Sequence, residues 1–405
     1  MAWRGESARS SPSARDSQPE RAPDDNGQLV SEFGPRREEH LNPYPDLTIR
    51  GMDVRAVDVP MERPLKSGGG EVRTAALALI DLRTEEGITG SSYLFCPTPL
   101  VLEPVADLLS NLASLIEGDP LAPLDIERKL QMAFRLLGPH GLTDMAVAGI
   151  DMAAWDALAK ACEISLARLL GGRPRKVQAY NSCGLGLIGS ERAAEEAQEL
   201  LAPGFGAVKV RLGYPEPKED VEVVRAIRRA VREDVVLMSD YNQSLSVVEA
   251  SRRTAALDDE GLYWIEEPTR ADDYSGHARI RREAKTPIQI GENWWGSHDM
   301  AKSIEADASD YAMADAMKIG GVTGWLRAAA LAETSGLPLS SHLFPEISAH
   351  LLAVTPTSHW LEYVDWANPI LEEPLEIENG YATVADAPGI GISWDRDAVR
   401  RYSVE

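Results

Sequence analysis

The sequence lacks the features of several large protein classes. Among its 405 residues are three cysteines, Cys96, Cys162 and Cys183. An odd number without metal-site spacing argues against a disulfide framework or a zinc motif, and it favours a reducing, cytoplasmic compartment. Positive charge is also scarce, since 41 Lys and Arg face 64 Asp and Glu, for a formal net charge of −23. Proteins that bind nucleic acid carry basic surfaces, so we expect no such partner.

Long apolar stretches are missing too. No run of eighteen apolar residues is present, so we expect no membrane-spanning helix. Residues 1–45 are rich in Ser, Pro, Arg and Glu without apolar periodicity, which predicts a disordered leader. This leader has no apolar segment of signal-peptide length. A mis-assigned start codon would produce the same composition.

The most informative feature that is present is a set of carboxylates at a constant spacing. Asp240, Glu266 and Glu292 each end a short apolar run that is typical of a buried strand. Both intervals, 266 − 240 and 292 − 266, are 26 residues long, which is one strand plus one helix. Three such units bring three carboxylates side by side at the C-terminal rim of a β/α barrel. Hard oxygen ligands of this kind suit Mg²⁺.

Further apolar runs extend the repeat in both directions and predict eight strands. Helix-period segments such as 218–233 and 323–333 lie between them. Eight strands alternating with helices predict an α/β fold, a closed and parallel (β/α)8 barrel of the TIM type, over residues 173–375. The predicted strands are 177–182, 207–213, 235–241, 262–268, 287–293, 311–317, 338–344 and 359–364.

Each predicted strand also ends in a polar residue. A carboxylate at such a position is often only a helix N-cap or a solvated loop residue. Eight polar ends in phase at one rim nevertheless favour a functional site. The residues are Ser182, Lys209 with Arg211, Asp240 with Asn242, Glu266, Glu292, Asp315, His342 and Glu362.

Residues 46–172 are predicted to form an α+β capping domain before the barrel. Three strands at 48–59, 73–84 and 87–95 are followed by helical segments across 98–168. The closing stretch 376–405 is expected to return and pack against these strands. The loop 66–73 contains three glycines, and we expect it to act as a lid that excludes water and contacts the substrate.

Several long motifs resemble the mandelate racemase subgroup of the enolase superfamily, and the likeness runs from about residue 50 to the C-terminus. The motifs are GIDMAAWDALAK (149–160), DYNQSL (240–245), WIEEPT (264–269), GENW (291–294), DAMKIGGVTGW (315–325) and SSHLFPEISAHLLAVTPTSHWLE (340–362). The resemblance implies Mg²⁺ as cofactor and a role for each matching residue. It implies Asp240, Glu266 and Glu292 as metal ligands, Lys209 and Ser182 beside the substrate, His342 with Asp315 as a base dyad, and Glu362 as an acid.

One position departs from the subgroup's pattern. The paired lysines of the second barrel strand are replaced by Lys209-Val210-Arg211. In the racemase branch the second lysine is a base on one face of the α-carbon, and the histidine of the seventh strand serves the other face. Arginine keeps its proton, with a pKa above about 12, so it is a poor base and a good ligand for carboxylate or hydroxyl groups. The substitution argues against two-base racemisation.

The polar residues also support a mechanism on chemical grounds. A metal ion and Lys209 can stabilise the charge that develops when a carboxylate loses its α-proton, and a protonated Glu362 can donate to the other oxygen. His342 has the pKa of a general base, and Asp315 can hold its tautomer. Lys318 is a rival base, but its position three residues beyond Asp315 favours a structural role in the loop. Asn242 is expected to form hydrogen bonds next to the metal. The remaining candidates, His350 and His359, are expected to be structural.

The leading functional hypothesis is Mg²⁺-dependent abstraction of the α-proton of a 2-hydroxy carboxylate, completed by dehydration of a hydroxy acid or acid sugar. The alternatives are a racemase or epimerase of a 2-hydroxy acid, and a non-catalytic protein that binds a metal or ligand. The expected partners are a small hydroxy acid, as substrate, and further copies of the chain in a homo-oligomer. We expect the protein to bind neither a membrane nor nucleic acid.

Overall fold

The structure is a computed structural model, and it describes residues 45–138 and 140–404. The predicted leader therefore lies outside the described residues except for its last position. The described residues form one compact unit, so the predicted boundaries between capping domain and barrel stay predictions.

The described part of the chain starts with an antiparallel sheet in the order β1–β2–β3, as expected. Strand β1 is longer than predicted because a register shift between Pro60 and Leu65 accommodates two prolines that a regular strand would not. The expected lid loop 66–73 is consequently the end of a long hairpin, with Gly68 and Gly69 as its turn. The strands are β1 (Ile49–Ser67), β2 (Gly70–Thr84) and β3 (Thr89–Cys96).

Helices follow the sheet and cover one of its faces. A 3₁₀ turn at Pro99–Val101 leads into α1 (Leu102–Ile116), α2 (Pro123–Ala133), α3 (Leu142–Ala161) and α4 (Leu166–Leu169). Helix α3 packs closely on β3 because Gly90 has no side chain, and a Cβ there would lie 1.9 Å from the Ala153 carbonyl oxygen.

One segment among the described residues, Pro99–Ile116, is long and apolar enough on average to cross a membrane. Glu103 and Asp107 interrupt it, so the sequence still has no uninterrupted apolar run. The buried residues of α1 recur every three to four positions, and this face packs against β1 and α3. The fold therefore accounts for the apolar character of the segment.

All eight predicted barrel strands are present. Strands β4 to β10 are parallel neighbours in chain order, and β11 pairs with β4. Backbone bonds such as Ser341 N to the Trp360 carbonyl, 2.9 Å, join β10 to the start of β11 and close the barrel. The strands are β4 (Lys176–Asn181), β5 (Ala207–Arg211), β6 (Val236–Asp240), β7 (Ile265–Glu266), β8 (Ile288–Ile290), β9 (Tyr311–Asp315), β10 (Leu339–His342) and β11 (Leu361–Tyr363).

Seven helices alternate with these strands and surround the barrel. They are α5 (Ser190–Leu201), α6 (Pro217–Ala230), α7 (Val247–Leu257), α8 (Tyr274–Glu283), α9 (Gly296–Glu305), α10 (Gly321–Ser335) and α11 (Pro345–Val354). The barrel interior is packed with Tyr180, Met238, Trp264, Met313 and Trp360, so it has a solid core below the rim.

The C-terminal stretch only partly follows the expectation that it returns to the first sheet. After a 3₁₀ turn at Asn368–Ile370, β12 (Ile377–Glu378) and β13 (Tyr381–Thr383) form a hairpin on barrel strand β4. Helix α12 (Arg396–Tyr402) then reaches β1, where Val404 N donates to the Ala56 carbonyl at 3.0 Å. Because β13 pairs with β4, this part of the segment packs on the barrel and not on the first sheet.

The tip of the β1–β2 hairpin lies on the C-terminal rim of the barrel. Leu187 N, in the loop after β4, donates to the Lys66 carbonyl at 2.7 Å. A Cβ at Gly68 would lie 2.4 Å from the Ser244 Cβ, in the loop after β6. The hairpin thus covers two of the loops that follow barrel strands.

Candidate active site and metal centre

Three carboxylates converge at the rim, as their spacing predicts. Asp240 and Glu266 end adjacent strands and are register partners, and Glu292 follows β8 by two residues. One oxygen of each lies within 4.8 Å of an oxygen of the others, and all three residues are buried.

Asn242 orients the first of these carboxylates. Its backbone N donates to Asp240 Oδ1 at 2.7 Å, and its Nδ2 donates to Oδ2 at 2.8 Å. The left-handed backbone of Asn242, with φ +45°, permits both contacts and is tolerated by asparagine. Its Oδ1 is buried without a hydrogen-bond partner in the described part of the chain, which leaves that oxygen free for a ligand.

The carboxylate cluster is short of positive charge. Lys209 is buried, and its Nζ lies 2.7 Å from Glu266 Oε1, 2.8 Å from Glu362 Oε1 and 3.5 Å from Asp240 Oδ2. Burial nevertheless raises the pKa of Asp240, and it raises the pKa of Glu266 to about 8. A small divalent cation would offset this excess of negative charge, so the residues present fit Mg²⁺.

His342 and Asp315 form the predicted dyad. They are direct register partners on β10 and β9, and His342 Nδ1 lies 2.6 Å from Asp315 Oδ2. The other oxygen, Oδ1, accepts bonds from the backbone N of Met317 and Lys318, which fixes the carboxylate. The remaining imidazole nitrogen, Nε2, points at the metal carboxylates and lies 3.3 Å from Glu292 Oε2.

The surroundings of His342 adjust its basicity in two directions. Burial lowers its pKa, but the carboxylates around it, with Glu292 the largest contributor, raise the pKa more, to about 9. A cation held by Glu292 would offset the negative charge that raises the pKa of His342, and would therefore lower that pKa. Such a shift leaves the imidazole suited to general-base catalysis.

Glu362 is anionic in these surroundings, which differs from the protonated acid that the sequence suggests. Burial by itself raises the pKa of Glu362. The Lys209 ammonium and His342 lower that pKa by more than burial raises it, so the net pKa lies well below the usual range. Its Oε1 accepts a bond from Ser182 Oγ at 2.7 Å, and its Oε2 accepts one from Leu343 N at 2.9 Å. Lys209 Nζ thus forms ion pairs with both Glu266 and Glu362.

Arg211 is buried and bound to the turn after β4. Its Nη1 donates to the carbonyls of Ser182 at 2.8 Å and Gly184 at 3.1 Å, and its Nη2 donates to Ser182 Oγ at 2.8 Å. The guanidinium therefore orients Ser182. Both Nη groups of the residue that replaces the second lysine are engaged with this turn.

The structure adds residues that the sequence analysis did not assign. Glu267 is buried with φ +35°, and burial raises its pKa well above the usual value. Asn293 Nδ2 donates to Glu267 Oε2 at 2.8 Å and to Glu292 Oε1 at 3.1 Å, while Lys318 Nζ donates to Asn293 Oδ1 at 2.6 Å. The doubled glutamate in WIEEP was the available signal for Glu267.

Two histidines lie away from the site, as expected. His350 Nδ1 accepts a bond from Ala167 N at 3.3 Å, and His359 Nε2 lies 2.8 Å from the Tyr263 hydroxyl. Burial lowers the pKa of each to about 4. Both are therefore neutral packing residues.

Comparisons with known proteins agree with this arrangement. Residues 50–171 match the model of the mandelate racemase/muconate lactonizing enzyme N-terminal domain, and residues 192–398 match the enolase C-terminal domain-like model. The chain belongs to the mandelate racemase/muconate lactonizing enzyme family. The resemblance seen in the motifs and the barrel fold with its N-terminal cap are thus confirmed.

Relatives in this family include L-talarate/galactarate dehydratase of Salmonella typhimurium, 31% identical over 80% of this chain and 82% of the relative. Among solved structures, an enolase from alpha proteobacterium bal199 with bound Mg is 43% identical, with a TM-score of 0.87 over 88% of this chain and 100% of that one. An enolase from Bradyrhizobium, complexed with magnesium and mandelic acid, is also 43% identical, with a TM-score of 0.85 over 89% and 99% of the two chains.

Proposed function

We propose that this family member is a Mg²⁺-dependent hydro-lyase. It removes the α-proton of a 2-hydroxy carboxylate and expels a β-hydroxyl group, which yields a 2-keto acid. The observation that carries the proposal is the asymmetry of the site: His342, held by Asp315, faces the carboxylate cluster, while Arg211 stands where a second base would be. One base suffices for dehydration. The relative that acts as L-talarate/galactarate dehydratase supports this choice.

Asp240, Glu266 and Glu292 would hold the ion. When bound, Mg²⁺ stabilises the negative charge that develops on the substrate carboxylate as the α-proton leaves. Asn242 and Asn293 keep the first and third carboxylates in place through the contacts described above. The bound Mg of the bal199 enolase structure supports the choice of metal.

His342 Nε2 takes the α-proton, because Nδ1 is occupied by Asp315. Asp315 then stabilises the imidazolium that forms. The C–H electron pair first moves towards the carboxylate and gives the enolate. It then forms the bond between the α- and β-carbons as the β-carbon–oxygen bond breaks, and the imidazolium returns its proton to the departing hydroxyl to give water. The resulting enol becomes the 2-keto acid. A single histidine therefore completes the reaction when both groups lie on its face of the substrate.

Lys209 and Glu362 act on the substrate carboxylate. A substrate carboxylate attracts the Lys209 ammonium away from Glu362 and places a second negative charge beside it. Both changes raise the pKa of Glu362 and favour the protonated form that donates a hydrogen bond to the developing charge. Ser182, oriented by Arg211, contacts the same part of the substrate.

A racemase or epimerase is the second candidate function. The Bradyrhizobium structure with mandelic acid favours it, because mandelic acid has no β-hydroxyl group to expel. Arg211 argues against it, since a guanidinium holds its proton. We also propose that the enzyme is a cytoplasmic homo-oligomer whose partner is a small hydroxy acid rather than a membrane or nucleic acid, with the charge of −23 as support against the latter.

A substrate screen tests these functions. Hydroxy acids and acid sugars are incubated with the enzyme and Mg²⁺, and 2-keto acid formation and optical rotation are followed in parallel. We expect keto acid from at least one substrate with a β-hydroxyl group, and no loss of rotation for substrates without one. Full racemisation of a substrate that lacks a β-hydroxyl group would promote the second candidate. His342→Asn serves as the inactive control.

A further inference from the structure

The metal centre rests on buried side chains inside the barrel. Trp264 and Gln289 have no exposed surface. Trp264 Nε1 and Gln289 Nε2 each lie 3.1 Å from the same oxygen, Glu266 Oε2. The other oxygen, Oε1, accepts a bond from Lys209 Nζ at 2.7 Å. The two oxygens of this carboxylate therefore have different surroundings.

Oε1 shares a cationic neighbour with the adjacent carboxylate of Asp240. Its donor, Lys209 Nζ, also lies 3.5 Å from Asp240 Oδ2. Oε2 instead faces the barrel core, where the Trp264 ring packs edge-on against Tyr180, with centroids 5.5 Å apart and planes at 83°. This packing fixes the direction of the indole N–H, so the hydrogen bond holds Oε2 towards the core.

Apart from this contact, the amide of Gln289 is unfavourable for folding. Its Oε1 is buried and has no hydrogen-bond partner within residues 45–138 and 140–404. A buried amide oxygen without a partner destabilises a fold, and a methionine of similar length would avoid that penalty. The amide Nε2 provides a bond to Glu266 Oε2 at 3.1 Å and a longer one to Met313 Sδ at 3.4 Å, and a methionine would provide neither.

We propose that Trp264 and Gln289 make Glu266 a ligand through one oxygen and thereby set the preference of the site for Mg²⁺ over Ca²⁺. This inference rests on the proposed metal site. A contact through both oxygens would draw Oε2 away, leave the buried indole N–H without a partner and leave Gln289 Nε2 with only its longer contact to Met313 Sδ. Mg²⁺ demands a compact octahedron, whereas Ca²⁺ takes more ligands and readily binds both oxygens of a carboxylate. The two hydrogen-bond donors therefore weaken the binding of Ca²⁺ relative to that of Mg²⁺.

Dissociation constants for the two ions test the inference. They are measured by isothermal titration calorimetry on chelator-treated wild-type enzyme, Gln289→Met and Trp264→Phe. We expect each variant to bind Mg²⁺ about 10- to 100-fold more weakly, as for lost outer hydrogen bonds at other metal sites. Ca²⁺ should lose less, so the preference for Mg²⁺ shrinks. Trp325→Phe is the matched control, because this buried indole donates to Thr355 Oγ1 at 3.0 Å, away from the metal carboxylates.

The outcomes separate this inference from the metal site itself. Suppose that wild-type enzyme binds Mg²⁺. If both variants keep the wild-type preference for Mg²⁺ over Ca²⁺, or lose affinity for both ions equally, the positioning role of Trp264 and Gln289 is overturned. Wild-type enzyme that binds neither ion overturns the metal centre and this inference with it. Circular dichroism establishes that the variants are folded. If Trp264→Phe does not fold, Gln289→Met decides.

Discussion

Arg211 occupies the position at which the racemase branch of the family carries its second base. Its charge is compensated by the carbonyls of Ser182 and Gly184 and by the Ser182 hydroxyl, rather than by an exposed partner. These contacts use both Nη groups of the fork and hold the guanidinium against the turn after β4. The residue therefore orients the turn that carries Ser182, and the mechanism we propose confines proton transfer to the face of the substrate that His342 serves.

Wild-type enzyme should consequently exchange the α-proton at one face. In D₂O, a 2-hydroxy acid without a β-hydroxyl group should gain deuterium with retention of configuration, measured by NMR and chiral chromatography. Arg211→Lys should introduce slow exchange at the second face, because burial lowers the pKa of a lysine. It should also reduce turnover, since lysine cannot reproduce the fork that holds Ser182 and Gly184. Rapid racemisation by the wild type would contradict the one-base mechanism.

The His342–Asp315 dyad makes a second prediction for single residues. His342→Asn should abolish solvent exchange of the α-proton, and Asp315→Asn should slow it about 10²- to 10⁴-fold, the usual contribution of general-base catalysis. Deuterium incorporation followed by NMR measures both. The exposed His298 on α9 provides the control His298→Asn, which should exchange at the wild-type rate. Undiminished exchange without His342 would identify Lys209 or Lys318 as the base.

Among the elements, the β1–β2 hairpin brings the first sheet to the barrel rim. Its tip approaches the loop after β6 so closely that a side chain at Gly68 would collide with Ser244, whereas a Cβ at Gly69 would meet neighbouring atoms no closer than 3.6 Å. Gly68→Ala should therefore displace the tip, admit water and lower kcat/KM, with a small effect on Tm. Gly69→Ala is the matched control. Equal activity of the two variants would show that the position of the tip does not matter.

Helix α10 depends on α3 for its N-terminal cap. Its own N-cap residue, Gly320, has no side chain to offer, and Asp151 of α3 accepts bonds from Thr323 N at 3.0 Å and Thr323 Oγ1 at 2.5 Å. Burial raises the pKa of Asp151 to about 7 despite these bonds. Since α10 begins shortly after Asp315, this cap also ties α3 to the segment that carries the dyad.

The raised pKa of Asp151 predicts a pH dependence of stability. The folded protein keeps the proton up to about pH 7, whereas an unfolded chain releases it near pH 4. Folding is therefore favoured at low pH, and this contribution, on the order of 4 kcal/mol, is lost as pH rises from about 4 to about 7. The Tm of Asp151→Asn, which stays neutral, should rise relative to wild type between pH 5 and pH 8. Asp125→Asn, exposed on α2, is the control. A constant difference would contradict the assignment.

For the whole molecule, features with a repeating pattern could be predicted from the sequence. The eight barrel strands follow apolar runs at a regular pitch, and the metal carboxylates and the dyad follow strand ends. Features that depend on pairing between distant segments could not be predicted from the sequence. Pro60 and Pro64 argue against a long β1, yet an irregular register accommodates them. Strand β13 pairs with the first three residues of β4, ahead of those that pair with β11, and no local pattern reveals this contact.

Electrostatic states are similarly hidden from the sequence. The ionisation of Glu362 depends on Lys209, which comes from a strand 153 residues earlier (362 − 209), at 2.8 Å. The contacts of Arg211 with backbone carbonyls are likewise invisible to a motif, which gives only the residue type. A sequence can therefore name the members of this site more reliably than their protonation states.

The concentration of buried carboxylates predicts that metal binding stabilises the entire fold. Asp240, Glu266 and Glu292 repel one another without a cation, and an ion that binds the folded state alone adds about 2.7 kcal/mol at a hundredfold excess over its Kd. Mg²⁺ should therefore raise Tm by several degrees in a thermal scan, and chelation should reverse the change.

Glu292→Ala should remove both this response and the activity while the protein stays folded, because two carboxylates cannot complete the site. Glu305→Ala, on the exposed face of α9, should retain both. A Tm response to Mg²⁺ that survives in Glu292→Ala would place the ion elsewhere, since no other ligand set of this kind exists among the described residues.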